Sequence, residues 1–183
     1  MKRRRFHDTR FEVSAAGLAR SEPAVVIELM PLPDLCERLE GRQRFFLRRG
    51  LARLERLIHS AAARDGRNRR KLAKLQKTFA VFRERFTAHL REEAEVIFPF
   101  IRQLESSAVG KNHARRSLQT RTARLEQQHF EADEAFAELC ALAENSCART
   151  LRDKLASFEH NLHEQIYEEN RVLFPRAPAA SRA

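Results

Sequence analysis

Two fourteen-residue segments of this chain, offset by 76 positions, align without a gap. The first reads Phe86-Thr-Ala-His89-Leu90-Arg-Glu-Glu93-Ala-Glu-Val96-Ile97-Phe98-Pro99. The second reads Leu162-His-Glu-Gln165-Ile166-Tyr-Glu-Glu169-Asn-Arg-Val172-Leu173-Phe174-Pro175. Apolar side chains recur in both at intervals of three and four, the spacing of one helical face. With only 5 Gly and 6 Pro in 183 residues, long stretches lack the turn residues that a sandwich or a doubly wound sheet needs. The chain therefore reads as all-α, an antiparallel up-down-up-down four-helix bundle with a basic N-terminal arm.

The arm is expected over residues 1–33, partly extended, with one apolar run at Ala24–Met30. A first helix, capped by Asp34 after Pro33, carries Leu35, Leu39, Leu47, Leu51, Leu54 and Ile58 to about residue 63. Residues 64–70 are expected to form a polar basic loop. A second helix carries Leu72, Leu75, Phe79, Phe82, Phe86, Leu90 and Ile97, with a kink expected near Pro99. After a loop over residues 106–116, the third helix is predicted from about Leu118 to Glu144. The fourth is predicted from Ala148 to Leu173, ending at Pro175. The bundle domain spans 34–176, and residues 177–183 read as a flexible tail.

Within the repeat, each helix turns a polar pair inward. His89 and Glu93 lie one turn apart on the stripe of Phe86, Leu90 and Ile97. Gln165 and Glu169 hold the same angles relative to Leu162, Ile166 and Leu173. The other two helices match more loosely. His129 precedes Phe136, Leu139 and Ala143 by 7, 10 and 14 residues, and Arg44 precedes Leu51, Leu54 and Ile58 by the same intervals. Both are predicted to face the core. Burying ionised carboxylates is costly unless they are paired or bind a metal. Carboxylates and imidazoles from facing helices are how bundles build non-haem metal sites.

These residues resemble the hemerythrin-like (HHE cation-binding) domain, and within it the repair-of-iron-centres type. The carrying segments are His89-x3-Glu93-x3-Ile97-Phe-Pro99, Leu125-Glu-Gln-Gln-His129 and Glu169-Asn170-x2-Leu173-Phe-Pro-Arg176. The resemblance implies a bundle holding a carboxylate-bridged di-iron site. It also implies work with dioxygen or nitric oxide, redox sensing, or repair of iron–sulfur centres. It places metal ligands at His89, Glu93, His129 and Glu169, with His59 as a further candidate near the end of the first helix. Two ligand positions depart: Arg44 and Gln165 stand where the family has histidine. A site reduced to one iron, or weakened, is the expectation, with a binding or sensing role; no substrate pocket is evident.

Other histidines lie off the stripe. His163 is roughly 110° and His160 roughly 170° from its centre, so His160-x3-Glu164 is out of register with the repeat. The net charge of +10 is concentrated in residues 1–85, which hold 22 Lys+Arg against 10 Asp+Glu. Most of that excess is Arg, and nucleic acid is not the expected partner. A second reading nevertheless stays open. In it the bundle is a metal-free adaptor or regulator whose basic half binds an acidic protein or nucleic acid, and Arg44 bridges Glu93 and Glu169. Three cysteines without a CxxC pair suggest a reducing, cytoplasmic setting. No apolar run is long enough for a membrane span.

Overall fold

The computed structural model describes residues 24–64, 66, 68–106, 111–144 and 148–180. The chain divides into two units, Met1–Met30 and Pro31–Ala183. In the first, Ala24–Leu29 forms a short helix, α1. This helix replaces the extended piece expected of the apolar run Ala24–Met30. A lone extended segment in a helical chain leaves its peptide groups unpaired, whereas a helical turn pairs them locally, as Met30 N–H does with Ile27 O at 3.3 Å.

The second unit consists of four antiparallel helical rods. The first runs from α2 (Leu32–Phe45) through a π-turn (Phe46–Gly50) into α3 (Leu51–Arg64). The second joins α4 (Arg69–Glu92), a π-turn (Glu93–Ile97) and α5 (Phe98–Ser106). The third is the uninterrupted α6 (Lys111–Glu144). The fourth joins α7 (Arg149–Tyr167), a π-turn (Glu168–Leu173) and α8 (Phe174–Ala180). α3 packs on α4 and α7, and α6 packs on α4 and α7, which closes the ring of neighbours.

Three boundaries differ from expectation. Pro31, not Asp34, caps the first rod; Pro33 fits in its first turn, where the missing N–H has no intrahelical partner anyway. α6 begins at Lys111, since nothing from there to Ser117 breaks a helix. The fourth rod passes through Pro175 to Ala180. Pro99 and Pro175 both sit just beyond a π-turn. A helical proline collides with the carbonyl four residues back, and here that carbonyl belongs to the widened turn.

The lower core is aromatic and drawn from all four rods. Phe46, Phe82, Phe86, Phe136 and Phe158 are all at most 4% exposed. Phe158 meets Phe46 at 4.9 Å and Phe136 at 5.0 Å between ring centroids. Burying each of these rings contributes on the order of 1.5–3 kcal/mol. Gly50 permits this contact. A Cβ there would lie 3.0 Å from the Phe158 ring, so the first and fourth rods approach across a missing side chain. Cys140 packs beside this core, as its position on an apolar face suggested. Burial and then the Glu159 carboxylate push its thiol up to about 12. No helix among the described residues is long and apolar enough to cross a membrane.

Candidate metal centre

Above the aromatic layer, four polar side chains meet in the interior: His89, Glu93, His129 and Glu169. None is more than 6% exposed, and one donor atom from each lies within 4.8 Å of the others. The local geometry follows from the sequence. His89 and Glu93 are one turn apart on the second rod, His129 projects from the straight α6, and Glu169 lies in the π-turn of the fourth rod. Phe86 stacks on the His89 ring at 6.3 Å, and Phe174 on the His129 ring at 6.0 Å. The cluster thus sits between aromatic faces.

Each imidazole is oriented from outside. His89 Nδ1 lies 2.7 Å from Gln128 Oε1, and His129 Nδ1 lies 2.8 Å from Asn170 Oδ1. An amide oxygen only accepts, so Nδ1 of each ring carries hydrogen and the neutral ring turns the Nε2 lone pair inward. The two Nε2 atoms are 2.9 Å apart. Glu93 Oε1 is 3.2 Å from His89 Nε2 and 3.4 Å from His129 Nε2, and Glu169 Oε2 is 3.1 Å from His129 Nε2. Neither of these oxygens has a hydrogen-bond partner. The outer oxygens are held differently. Gln43 Nε2 donates to Glu93 Oε2 at 2.8 Å, and Gln165 Nε2 donates to Glu169 Oε1.

The electrostatics describe a cluster in need of positive charge. Burial works against the charged form of His129, but the Glu169 and Glu93 carboxylates overcome it and raise the ring to about 10. His89 is raised too, the Glu93 carboxylate outweighing burial. Glu93, despite its burial, is drawn down to about 2 by the two histidines. Burial and the charge of Glu93 push Glu169 up to about 7. The carboxylates behave as a pair, one readily ionised at the expense of the other.

The predicted residues divide clearly. His89, Glu93, His129 and Glu169 come together, and Gln165 is buried beside them. His59 does not join them: it is exposed on α3, its Nδ1 2.8 Å from Glu55 O. At about 100° per residue His59 falls roughly 110° off the stripe of Leu51, Leu54 and Ile58, and it lies off the core accordingly. Arg44 is exposed as well, and Gln43 takes the inward position. The π-turn explains the change, because Leu51 N–H bonds to Phe46 O, five residues back, instead of to residue 47. One extra residue in the turn shifts everything before it by one position. Leu47, expected in the core, is displaced by Phe46 for the same reason. His160 and His163 lie outward, pairing with Glu164 and Asp133.

Glu168 was missed. It is buried at 3% exposure and is held by Arg42 Nη2 at 2.9 Å and Arg38 Nε at 3.1 Å. The available signal was the pair Arg38 and Arg42 at helical spacing on α2. A groove of about 410 Å³ between α6 and α8 is lined by Phe174 and Thr122; none of the four clustered residues lines it.

A four-helix bundle with inward imidazoles and carboxylates from three of its rods defines a metal-binding type of helical protein. The hemerythrin HHE cation-binding domain matches residues 46–177, and the chain belongs to that family. No curated protein matches the chain.

Proposed function

We propose that the protein binds iron among His89, Glu93, His129 and Glu169, and that it acts in sensing redox state, dioxygen or nitric oxide, or in iron handling. One observation carries this reading. Two imidazole nitrogens face each other at 2.9 Å with their N–H groups committed outward, beside two carboxylate oxygens that accept no hydrogen bond. Lone pairs and negative charge so concentrated away from water call for positive charge, which a metal ion would supply to all four donors at once. Ligand atoms about 2.1 Å from one ion stand about 3 Å apart when adjacent, which is the spacing found. The donor set of two imidazoles and two carboxylates suits non-haem iron.

Iron would supply one-electron chemistry and affinity for small diatomic ligands. The chain's own contribution is to hold and orient. Gln128 and Asn170 fix the imidazole tautomers, Phe86 and Phe174 cover the rings, and burial excludes bulk water. Binding and sensing suit so enclosed a cluster, none of whose four residues lines the groove between α6 and α8.

Protein purified from iron-supplemented cells is expected to carry metal. His89→Ala and Glu169→Ala should lose it, while His160→Ala should retain it. A metal-free wild type, with thermal melting unchanged by chelator, would sink the proposal. That result would favour the second reading, in which a proton holds the cluster and the basic half docks an acidic protein or nucleic acid. The raised His129 is what speaks for that state. Arg44 has no part in it, being exposed.

A further inference from the structure

We infer that the cluster is built for one ion and not two, and that four carboxamides set that number. The inference rests on the metal-binding reading above. Each of the four clustered side chains has two polar atoms, and each has one of them engaged by an amide. Gln128 takes His89 Nδ1 at 2.7 Å, and Asn170 takes His129 Nδ1 at 2.8 Å. Gln43 takes Glu93 Oε2 at 2.8 Å, and Gln165 takes Glu169 Oε1. One inward atom per residue remains: His89 Nε2, Glu93 Oε1, His129 Nε2 and Glu169 Oε2. Four single donors within 4.8 Å of one another are the protein's share of one coordination sphere.

A carboxylate that bridges two metals in the 1,3 mode, one oxygen to each ion, uses both of its oxygens. Here the second oxygen of each already accepts an N–H, and an amide N–H cannot ligate a cation. Charge leads to the same count. One divalent ion neutralises Glu93 and Glu169, whereas a second would need anions that none of these four residues supplies, among side chains at most 6% exposed. The next buried carboxylate, Glu168, is already held by Arg38 and Arg42. The bridged two-iron centre that the family resemblance suggested therefore does not fit these residues. Gln43 and Gln165 are positioning residues that keep Glu93 and Glu169 monodentate.

Titrating the metal-stripped full chain with Co²⁺, followed by visible absorption and equilibrium dialysis, tests this. The expected end point is one Co²⁺ per chain. Gln43→Met and Gln165→Met keep the side-chain length but remove the donor. Each should weaken Co²⁺ binding about 10–100-fold. Each should also shift the visible bands of the loaded protein, because the released oxygen joins the ion. Purely structural roles would lower the melting temperature and leave the loaded spectrum unchanged. Two Co²⁺ per wild-type chain, or unchanged spectra in both variants, would overturn the one-ion inference while leaving metal binding intact. No uptake by the wild type would overturn the metal reading itself. The wild-type stoichiometry decides the question even if a methionine variant fails to fold, which helical circular dichroism would show.

Discussion

The first rod and α6 carry the same intervals between a polar residue and three apolar ones, yet only α6 delivers the residue those intervals name. From His129, the steps of 7, 10 and 14 lead to Phe136, Leu139 and Ala143, and all four side chains are buried. From Arg44, the same steps lead to buried Leu51, Leu54 and Ile58, but Arg44 itself faces solvent. The difference is one residue of backbone. α6 keeps its i to i−4 ladder throughout, whereas the first rod changes to i to i−5 at Phe46–Gly50. The extra residue exchanges a long guanidinium for a carboxamide at the edge of the cluster. A cation there would compete with a metal; an amide donor leaves room for one.

Deleting Arg48 breaks the comparison most directly. The π-turn would relax to an α-helix, and Leu35, Leu39 and Gln43 would rotate by about 100° relative to α3. Loss of burial for the two leucines alone amounts to roughly 3–6 kcal/mol, read by urea denaturation. A deletion variant as stable as wild type would show that the turn does not set the register.

Next in size is a contrast of the two equivalent positions in metal-stripped protein. His129→Ala leaves Glu93 and Glu169 buried without their shared partner, and removal of one member of a buried charged cluster costs about 3–5 kcal/mol. Arg44→Ala should change stability by no more than about 0.5 kcal/mol, as for an ordinary surface site. Equal losses in both variants would mean that Arg44 reaches the core after all.

These two positions also show how far the sequence could be read. A straight helix converts spacing into direction, so the stripe from Leu72 to Leu90, the inward His89–Glu93 pair and His129 were all legible. The repeat made Glu169 legible too, because it transferred the geometry of one rod to another. A π-turn has no such signature. Phe46–Gly50 contains nothing forbidden to an α-helix, so its residues do not announce the wider turn. Gln43 and Glu168 were hidden for that reason: one depends on the turn, and the other on two arginines from a different rod. His59 was legible as an outlier by its angle, and only the resemblance kept it among the candidates.

The glycines of the first rod give a smaller contrast. A Cβ at Gly50 would lie 3.0 and 3.2 Å from two atoms of the Phe158 ring, which is fixed by Phe46, Phe82 and Phe136. Gly50→Ala should cost about 1–3 kcal/mol through overpacking. At Gly41 the nearest atom is Arg44 Nη2 at 3.7 Å, an ordinary contact with a flexible side chain. Gly41→Ala should therefore stabilise the helix by about 0.5–1 kcal/mol. Thermal melts of the two variants should move in opposite directions. Movement in the same direction would remove the argument for a close approach at Gly50.

The smallest expected effect lies on the outward side of α6, one turn beyond His129. Asp133 Oδ1 lies 2.6 Å from His163 Nε2 on α7, with both side chains 41% exposed. That hydrogen bond, against a smaller opposing effect of burial, raises the His163 ring above its ordinary 6.5. A group whose folded value is raised stabilises the fold fully below its unfolded value and loses that contribution as pH rises through the folded value. Wild type should thus exceed Asp133→Asn in stability by more at pH 5.5 than at pH 9. Solvent screening limits the difference to a few tenths of a kcal/mol. Proton NMR titration gives the sharper measurement: His163 should titrate above 6.5 in wild type and fall back toward it in Asp133→Asn. If the variant leaves the titration unmoved, the Asp133 contact is not what holds the proton. The inward and outward histidine–carboxylate contacts of α6 then could not be attributed to one physical cause acting at two depths of burial.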